Sequence, residues 1–174
     1  VRIGTATVKG LAFGRGKPCV GVSTLEALAE GLSPLPGILI GVMDARRAQV
    51  YCGIFTMREG LLTRLAPDRA MPLADLVAEV MRDYPEAPIR LAGDGYDFAY
   101  AAFLAAGCPG LTETPEALRC QSGAAVARCA LRAYRAGLAV TDEELRPVYL
   151  RLPQAERDLI EKQKLTEKEQ GATS

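Results

Sequence analysis

The sequence predicts an α/β chain built on a mixed sheet, and three observations carry that reading. Residues 38–43, 49–57 and 61–65 are short apolar runs divided by a turn at 44–48 and by Glu59-Gly60, the pattern of three antiparallel strands. Pro72 then opens a helical pattern that leads to a strand over 88–92 and a helix over 96–106, and a helix between strands adds a parallel neighbour to the sheet. Finally, Ser33-Pro34-Leu35-Pro36-Gly37 is the clearest break in the chain and places a subdomain boundary between residues 36 and 37.

The elements follow in order. Residues 2–13 read as a helix ending near Gly14. One of its faces holds Ile3, Ala6, Gly10 and Phe13; another holds Val1, Thr5, Val8 and Ala12, with Lys9 at the edge. A surface helix needs one apolar stripe, so two stripes mean that it is buried, or that it packs on its own domain with one side and on a partner with the other. Gly4 and Gly10 allow close approach but weaken an isolated helix by about 1 kcal/mol each relative to alanine. Residues 18–22 read as a short strand. Ser23 or Thr24 caps a helix over 25–31, with Glu26 at capping-box spacing from Ser23 and with Leu25, Leu28, Ala29 and Leu32 on one stripe. In the helix after Pro72, Leu73, Leu76, Val77 and Val80 share a face. The strand over 88–92 ends at Gly93-Asp94-Gly95, and the helix after it is stopped by Gly107 and Pro109. A long helix is expected over 116–136, with Arg128, Arg132 and Arg135 on an exposed stripe, before Gly137 ends it.

The domain reading is therefore residues 1–36 as the end of one unit, 37–152 as a complete second unit and 153–174 as a polar helix fading into a disordered tail. Residues 1–36 contain one strand and cannot make a sheet alone. The chain also opens on Val1 inside a helical pattern, so more of the first unit is expected upstream, and residues 1–36 should expose apolar surface.

Composition excludes much chemistry. There is no His, hence no imidazole base, no Ser-His or Cys-His dyad and no His-ligated metal. Lys+Arg and Asp+Glu balance at 21 each, which argues against strong nonspecific binding of nucleic acid by the chain itself. The acidic stretch 65–118 lies between two basic ones, and opposite-sign faces suit docking on another protein. Five cysteines without C-x-x-C spacing or a secretory signal read as buried thiols of a reducing, cytoplasmic protein. No apolar run approaches the ~18 residues needed to span a membrane.

Four other features invite a functional reading. Gly14-Arg15-Gly16-Lys17 fails as a phosphate loop because Leu11 and Pro18 stand where such a loop needs Gly and Ser or Thr; it reads as a turn. Gly93-Asp94-Gly95 lies where ligands bind in open α/β sheets, so it is either a strand-to-helix turn capped by Asp94 or Asp97, or a nucleotide contact. Asp44, Arg46 and Arg47 form either a solvated turn or a cleft that pairs with a carboxylate or phosphate. The stripe of Arg128, Arg132 and Arg135 reads as a solvated helix face, with contact to nucleic-acid phosphate in an assembly as its minority reading. No Asp, Glu or Cys cluster suggests a metal site.

Four segments resemble the TsaB family. Val1-Arg2-Ile3-Gly4 with Val8-Lys9-Gly10-Leu11-Ala12 is similar to the helix after that family's glycine-rich G-P-G-S-F-T-G loop. Residues 20–28 are similar to its next strand and helix. Asp44-Ala45-Arg46-Arg47-Ala48-Gln49-Val50-Tyr51 matches its D-A-R-R-x-x-V-Y turn, with Ala48 where glycine is frequent. Pro147-Val148-Tyr149-Leu150-Arg151 matches its closing P-x-Y-L-R.

The resemblance implies an actin-like, sugar-kinase-like ATPase fold of two RNase-H-like subdomains, the second complete and the first truncated before Val1. It implies a noncatalytic paralogue of TsaD that pairs with TsaD through helices, or with itself when alone. With the ATPase TsaE, the pair supports threonylcarbamoyl transfer to a tRNA adenosine beside the anticodon. The transferring paralogue holds a metal with paired His, and this chain has no His. The helix at 2–13 becomes the partner face, with Val1, Thr5, Val8, Lys9 and Ala12 in contact. No intrinsic cofactor is expected, with ATP or ADP at the junction as the candidate ligand and tRNA met only through the complex. The alternative is an actin-like ATPase or small-molecule kinase; a peptidase reading would need metal-dependent cleavage.

Overall fold

A computed structural model describes residues 2–151. The place of Val1 in the partner stripe and the tail expected over 153–174 lie outside the described residues. The elements are α1 (Arg2–Ala12), α2 (Thr24–Gly31), β1 (Ile38–Asp44), β2 (Gln49–Arg58), β3 (Leu61–Pro72), α3 (Leu73–Asp83), β4 (Ile89–Ala92), α4 (Tyr96–Ala105) and α5 (Gly123–Arg135), with a 3-10 turn at Glu116–Leu118.

The sheet has the order β3-β2-β1-β4. β1 pairs antiparallel with β2, and β2 with β3, while β4 runs parallel to β1. This is the mixed sheet expected from the order of apolar runs. Alternation along β1 sends Ile38, Ile40 and Val42 to a core shared with α3 and α4 (Leu76, Val77, Val80, Ala99 and Phe103). Leu39 faces the other way, onto Leu25, Leu28 and Ala29 of α2, its C-cap residue Leu32, and Phe55 of β2. Each such fully buried side chain stabilises the fold by roughly 1.5–3 kcal/mol. Gly41 lets α2 settle on the sheet, since a Cβ there would lie 2.4 Å from the Leu25 carbonyl oxygen. α5 lies against α2 on the outside of that layer.

Across the expected boundary at 36/37, α2 shares its core with β1, β2 and β4. Exposed apolar surface in residues 1–36 is accordingly a property of α1 and not of α2. Two expectations change. The strand over 18–22 reduces to one antiparallel bridge, with Cys19 and Val140 exchanging both backbone hydrogen bonds at 2.8 Å. The helix expected from residue 116 begins only at Gly123, where the Ser122 hydroxyl accepts the Ala125 N–H at 3.1 Å; residues 116–118 form a separate 3-10 turn.

β3 runs to Pro72, past the expected end at 65, because pairing resumes after an irregularity at Gly53. Thiols differ too: Cys19, Cys52 and Cys129 are buried, Cys108 is half-buried and Cys120 is exposed. Burial pushes the Cys52 and Cys129 thiols up to about 11. No helix among the described residues is long and apolar enough to cross a membrane.

Candidate functional site

Two of the sequence-derived candidates meet at one edge of the sheet. β1 and β4 are parallel neighbours, so the turns that follow them leave side by side: Asp44 to Ala48 after β1 and Gly93 to Gly95 after β4. Asp94 Oδ1 joins the turns by accepting the Asp44 N–H at 3.2 Å. Asp44 Oδ1 accepts the Arg46 N–H at 2.6 Å, closing the turn on itself. Gly93 must be glycine: its φ is 128°, and a Cβ would lie 1.9 Å from the Val42 carbonyl oxygen. Asp94 therefore serves the neighbouring turn and does not cap α4. Gly95 is the cap residue, and no side chain bonds there.

The β1 turn is strained. Arg46, Arg47 and Ala48 have φ values of 63°, 55° and 57°, a left-handed run without glycine. Each such residue costs roughly 1–2 kcal/mol. Surrounding bonds hold the run. Gln49 N–H donates to the Arg46 carbonyl at 3.1 Å, Leu73 N–H to that of Ala48 at 3.0 Å, and Arg151 Nη1 to that of Ala45 at 2.8 Å. This last bond joins the D-A-R-R turn to the closing P-x-Y-L-R segment. Asp44, Arg46 and Arg47 are exposed, so the strain presents two guanidinium groups and a carboxylate to solvent. Such a group can form bidentate pairs with a carboxylate or phosphate.

The β4 turn is braced from behind. The Gly93 N–H donates to the Arg119 carbonyl at 2.7 Å, Arg119 Nε donates to the Thr114 carbonyl at 2.8 Å, and its guanidinium lies 4.1 Å over the Tyr96 ring. Buried Thr114 donates its hydroxyl to the Leu91 carbonyl at 2.8 Å.

The second candidate is α1. Its inner face meets its own chain: Arg2 Nε donates to the Tyr149 hydroxyl at 2.9 Å, and Lys9 Nζ to the carbonyls of Glu143 and Leu145 at 3.4 Å each. Ala12 is buried, and Thr5 and Lys9 are half-buried. Thr5, Lys9 and Ala12 thus sit on the covered side, and of the expected stripe Val8 stays open at 47% exposure. The outward apolar surface is carried by Ile3 at 86%, Leu11 at 71% and Phe13 at 74%. The sequence shows two apolar faces but not which one the segment over 140–151 covers.

The arginine stripe of α5 is not simply solvated. Glu30 of α2 is 4% exposed, and it accepts Arg128 Nε and Arg132 Nη1 at 2.7 Å each. Arg132 also pairs with Glu26, which pairs with Arg64 of β3, which in turn bridges to Asp68. Asp68 accepts the hydroxyl of Ser23 at 2.5 Å, and that hydroxyl in turn caps α2 by accepting the Glu26 N–H at 3.1 Å. Half of the expected capping box forms; the Glu26 carboxylate is drawn out to the arginines. The signal in the sequence is Glu26 and Glu30 one turn apart on α2, matched by Arg128 and Arg132 one turn apart on α5.

Comparison with known proteins adds the following. Residues 1–158 match the model of the family described as TsaD: tRNA N6-adenosine threonylcarbamoyltransferase. Over 75 residues, 43% of this chain, the sequence is 41% identical to the tRNA threonylcarbamoyladenosine biosynthesis protein TsaB of Bacillus subtilis (strain 168). The matched part spans 33% of that relative's length. Two solved structures share the fold. One is described as an uncharacterized protein with similarity to peptidase YEAZ from Pseudomonas aeruginosa, with a TM-score of 0.67 and 25% identity over 87% of this chain and 67% of that one. The other is YeaZ from Pseudomonas aeruginosa, with a TM-score of 0.66 and 24% identity over 86% and 68%. The mixed sheet with helices on both faces agrees with the expected actin-like, RNase-H-like architecture.

Proposed function

Because the chain belongs to the TsaD family of tRNA N6-adenosine threonylcarbamoyltransferases, and within it is similar to TsaB, we propose that it is a noncatalytic, TsaB-like subunit of the machinery that makes threonylcarbamoyladenosine in tRNA. Its part is to pair with a TsaD-like paralogue and support transfer by that partner. A TsaE-like ATPase joins the same assembly, tRNA is met through the complex, and the chain pairs with itself when the paralogue is absent.

The observation that carries this reading is the outward face of α1. Ile3 and Leu11 stand in solvent on the open side of α1, with exposed Val8 at its border and exposed Phe13 just past the end of the helix, while the other side is already packed. Apolar side chains grouped on one helix face mark an interaction surface. Gly4 and Gly10 have nothing within 4 Å of where a Cβ would sit, which leaves room for a partner helix to approach closely. The absence of His from the whole sequence supports the noncatalytic part, since the resemblance assigns the metal-holding His pair to the paralogue. Arg46 and Arg47, beside Asp44 and the Gly93-Asp94-Gly95 turn, supply the chemistry for an ATP or ADP phosphate at the junction.

The test is reconstitution. A TsaD-like protein, a TsaE-like ATPase, threonylcarbamoyl donor and tRNA are assayed with and without this chain. Modified adenosine is expected only when the chain is added, with a stoichiometric complex on a sizing column. Equal modification without it, or modification by this chain alone, would overturn the reading.

A further inference from the structure

The segment from Val140 to Arg151 lacks helix or strand, yet it is tied down at successive points. It starts at the Cys19 bridge. A tight turn follows, in which Glu144 Oε2 accepts both the N–H and the hydroxyl of Thr141 at 3.0 Å. Leu145 then lies over Gly21. The carbonyls of Glu143 and Leu145 accept Lys9, and the Tyr149 hydroxyl accepts Arg2, whose guanidinium also sits 5.7 Å over the Tyr149 ring. Two residues later Arg151 reaches the Ala45 carbonyl.

We propose that residues 140–151 form a strap that couples α1 to the left-handed turn after β1. The turn is poised for such control. Its φ values are ones that non-glycine residues leave readily unless surrounding bonds hold them. Two other bonds reach the turn from neighbouring elements: from Asp94 after β4 on one side and from Leu73 at the start of α3 on the other. The Arg151 bond spans the longest stretch of sequence of the three, 106 residues. Only Leu150 separates Arg151 from Tyr149, and two residues span at most about 7 Å, so Arg151 cannot keep its place at the turn once Tyr149 moves far. Arg2 and Lys9 on α1 fix Tyr149 and the carbonyls before it. Whatever shifts α1 shifts the strap, and whatever shifts the strap loosens or tightens the presentation of Asp44, Arg46 and Arg47. The coupling is a property of the chain alone. Only its use, relaying the docking of a paralogue on α1 to the sheet edge, rests on the function proposed above.

Amide hydrogen exchange on the chain tests this, read at Ala45 and Gln49, whose N–H groups bond within the turn, and at the α3 amides as reference. Arg151→Ala should speed exchange at Ala45 and Gln49 about tenfold, the worth of one charged hydrogen bond. The double variant Arg2→Met/Lys9→Met touches nothing in the turn, yet should speed the same two amides about threefold, leaving α3 unchanged. Added to Arg151→Ala, it should have no further effect, because the connection is already cut. An unchanged turn in Arg2→Met/Lys9→Met would reduce Arg151 to a local clasp and overturn the coupling. An equal effect in both backgrounds, or faster exchange throughout α3, would show general loosening and overturn it as well.

Discussion

α1 and α2 lie twelve residues apart in the chain and carry similar shares of apolar side chains, yet they live in different surroundings. α2 gives Leu25, Leu28, Ala29 and Leu32 to the sheet and locks its one buried carboxylate, Glu30, to two arginines of α5. α1 gives little besides Ala12 to its own chain and leaves Ile3, Leu11 and Phe13 in solvent. Apolar content does not tell a helix that packs within the chain from one that leaves its apolar side in solvent. What separates these two is whether the stripe meets a complementary surface within the chain. α2 finds Gly41, where the sheet is bare enough to approach; α1 finds an irregular strap that covers one side and holds it with polar bonds.

The largest effect is expected at the clamp on α2. Arg128→Ala with Arg132→Ala strands the Glu30 carboxylate in an apolar layer and should cost about 3–5 kcal/mol in urea unfolding. Loss below 1 kcal/mol would mean that Glu30 swings to water and that α2 is held by packing alone. Next, Leu28→Ala and Leu11→Ala make the comparison directly. The first removes a side chain that is 3% exposed and should cost about 2–5 kcal/mol; the second removes one that is 71% exposed and should stay within about 0.5 kcal/mol. Equal costs would break the contrast between the helices.

A control lies outside both helices. Ala48→Gly relieves one left-handed residue and should stabilise the chain by about 1 kcal/mol in the same assay. A destabilised variant would show that unfolded-chain entropy outweighs the strain. The finest comparison uses thiols. Cys19 is tied to the strap beside α1, while Cys129 lies under the α2 clamp; both are buried. Local opening near α1 should let a thiol reagent label Cys19 before Cys129 at pH 8, with exposed Cys120 ahead of both. Burial holds the Cys129 thiol near 11, so its thiolate fraction is small at pH 8 and its labelling should rise as pH climbs toward that value. Simultaneous labelling of Cys19 and Cys129 on mass spectrometry would argue that the molecule opens as one unit.

Much of the fold was legible because local chemistry and tertiary packing agreed. Apolar alternation gave β1 its two faces, Ser23 announced α2, and Gly137 the end of α5. Where they disagreed, tertiary structure decided. Residues 116–118 are good helix formers, but the turn through Arg119 braces Gly93, and Ser122 restarts the chain as α5. The left-handed run at 46–48 has no glycine to signal it; it exists because Asp94, Leu73 and Arg151 hold it from other parts of the chain. The covered side of α1 was equally hidden, since it is set by bonds spanning more than a hundred residues of sequence. Both halves of the sheet-edge site could be named from motifs, but only the strand order showed that they touch.

α1 is proposed above as a surface that receives another protein. Titration calorimetry of the chain and of Leu11→Asp against a TsaD-like paralogue tests it most directly. Burying one unpaired carboxylate at the interface should weaken binding by at least about tenfold, while urea unfolding of the variant alone stays within about 0.5 kcal/mol of the parent. Unchanged affinity in a folded Leu11→Asp chain would contradict the assignment of α1 as the docking helix.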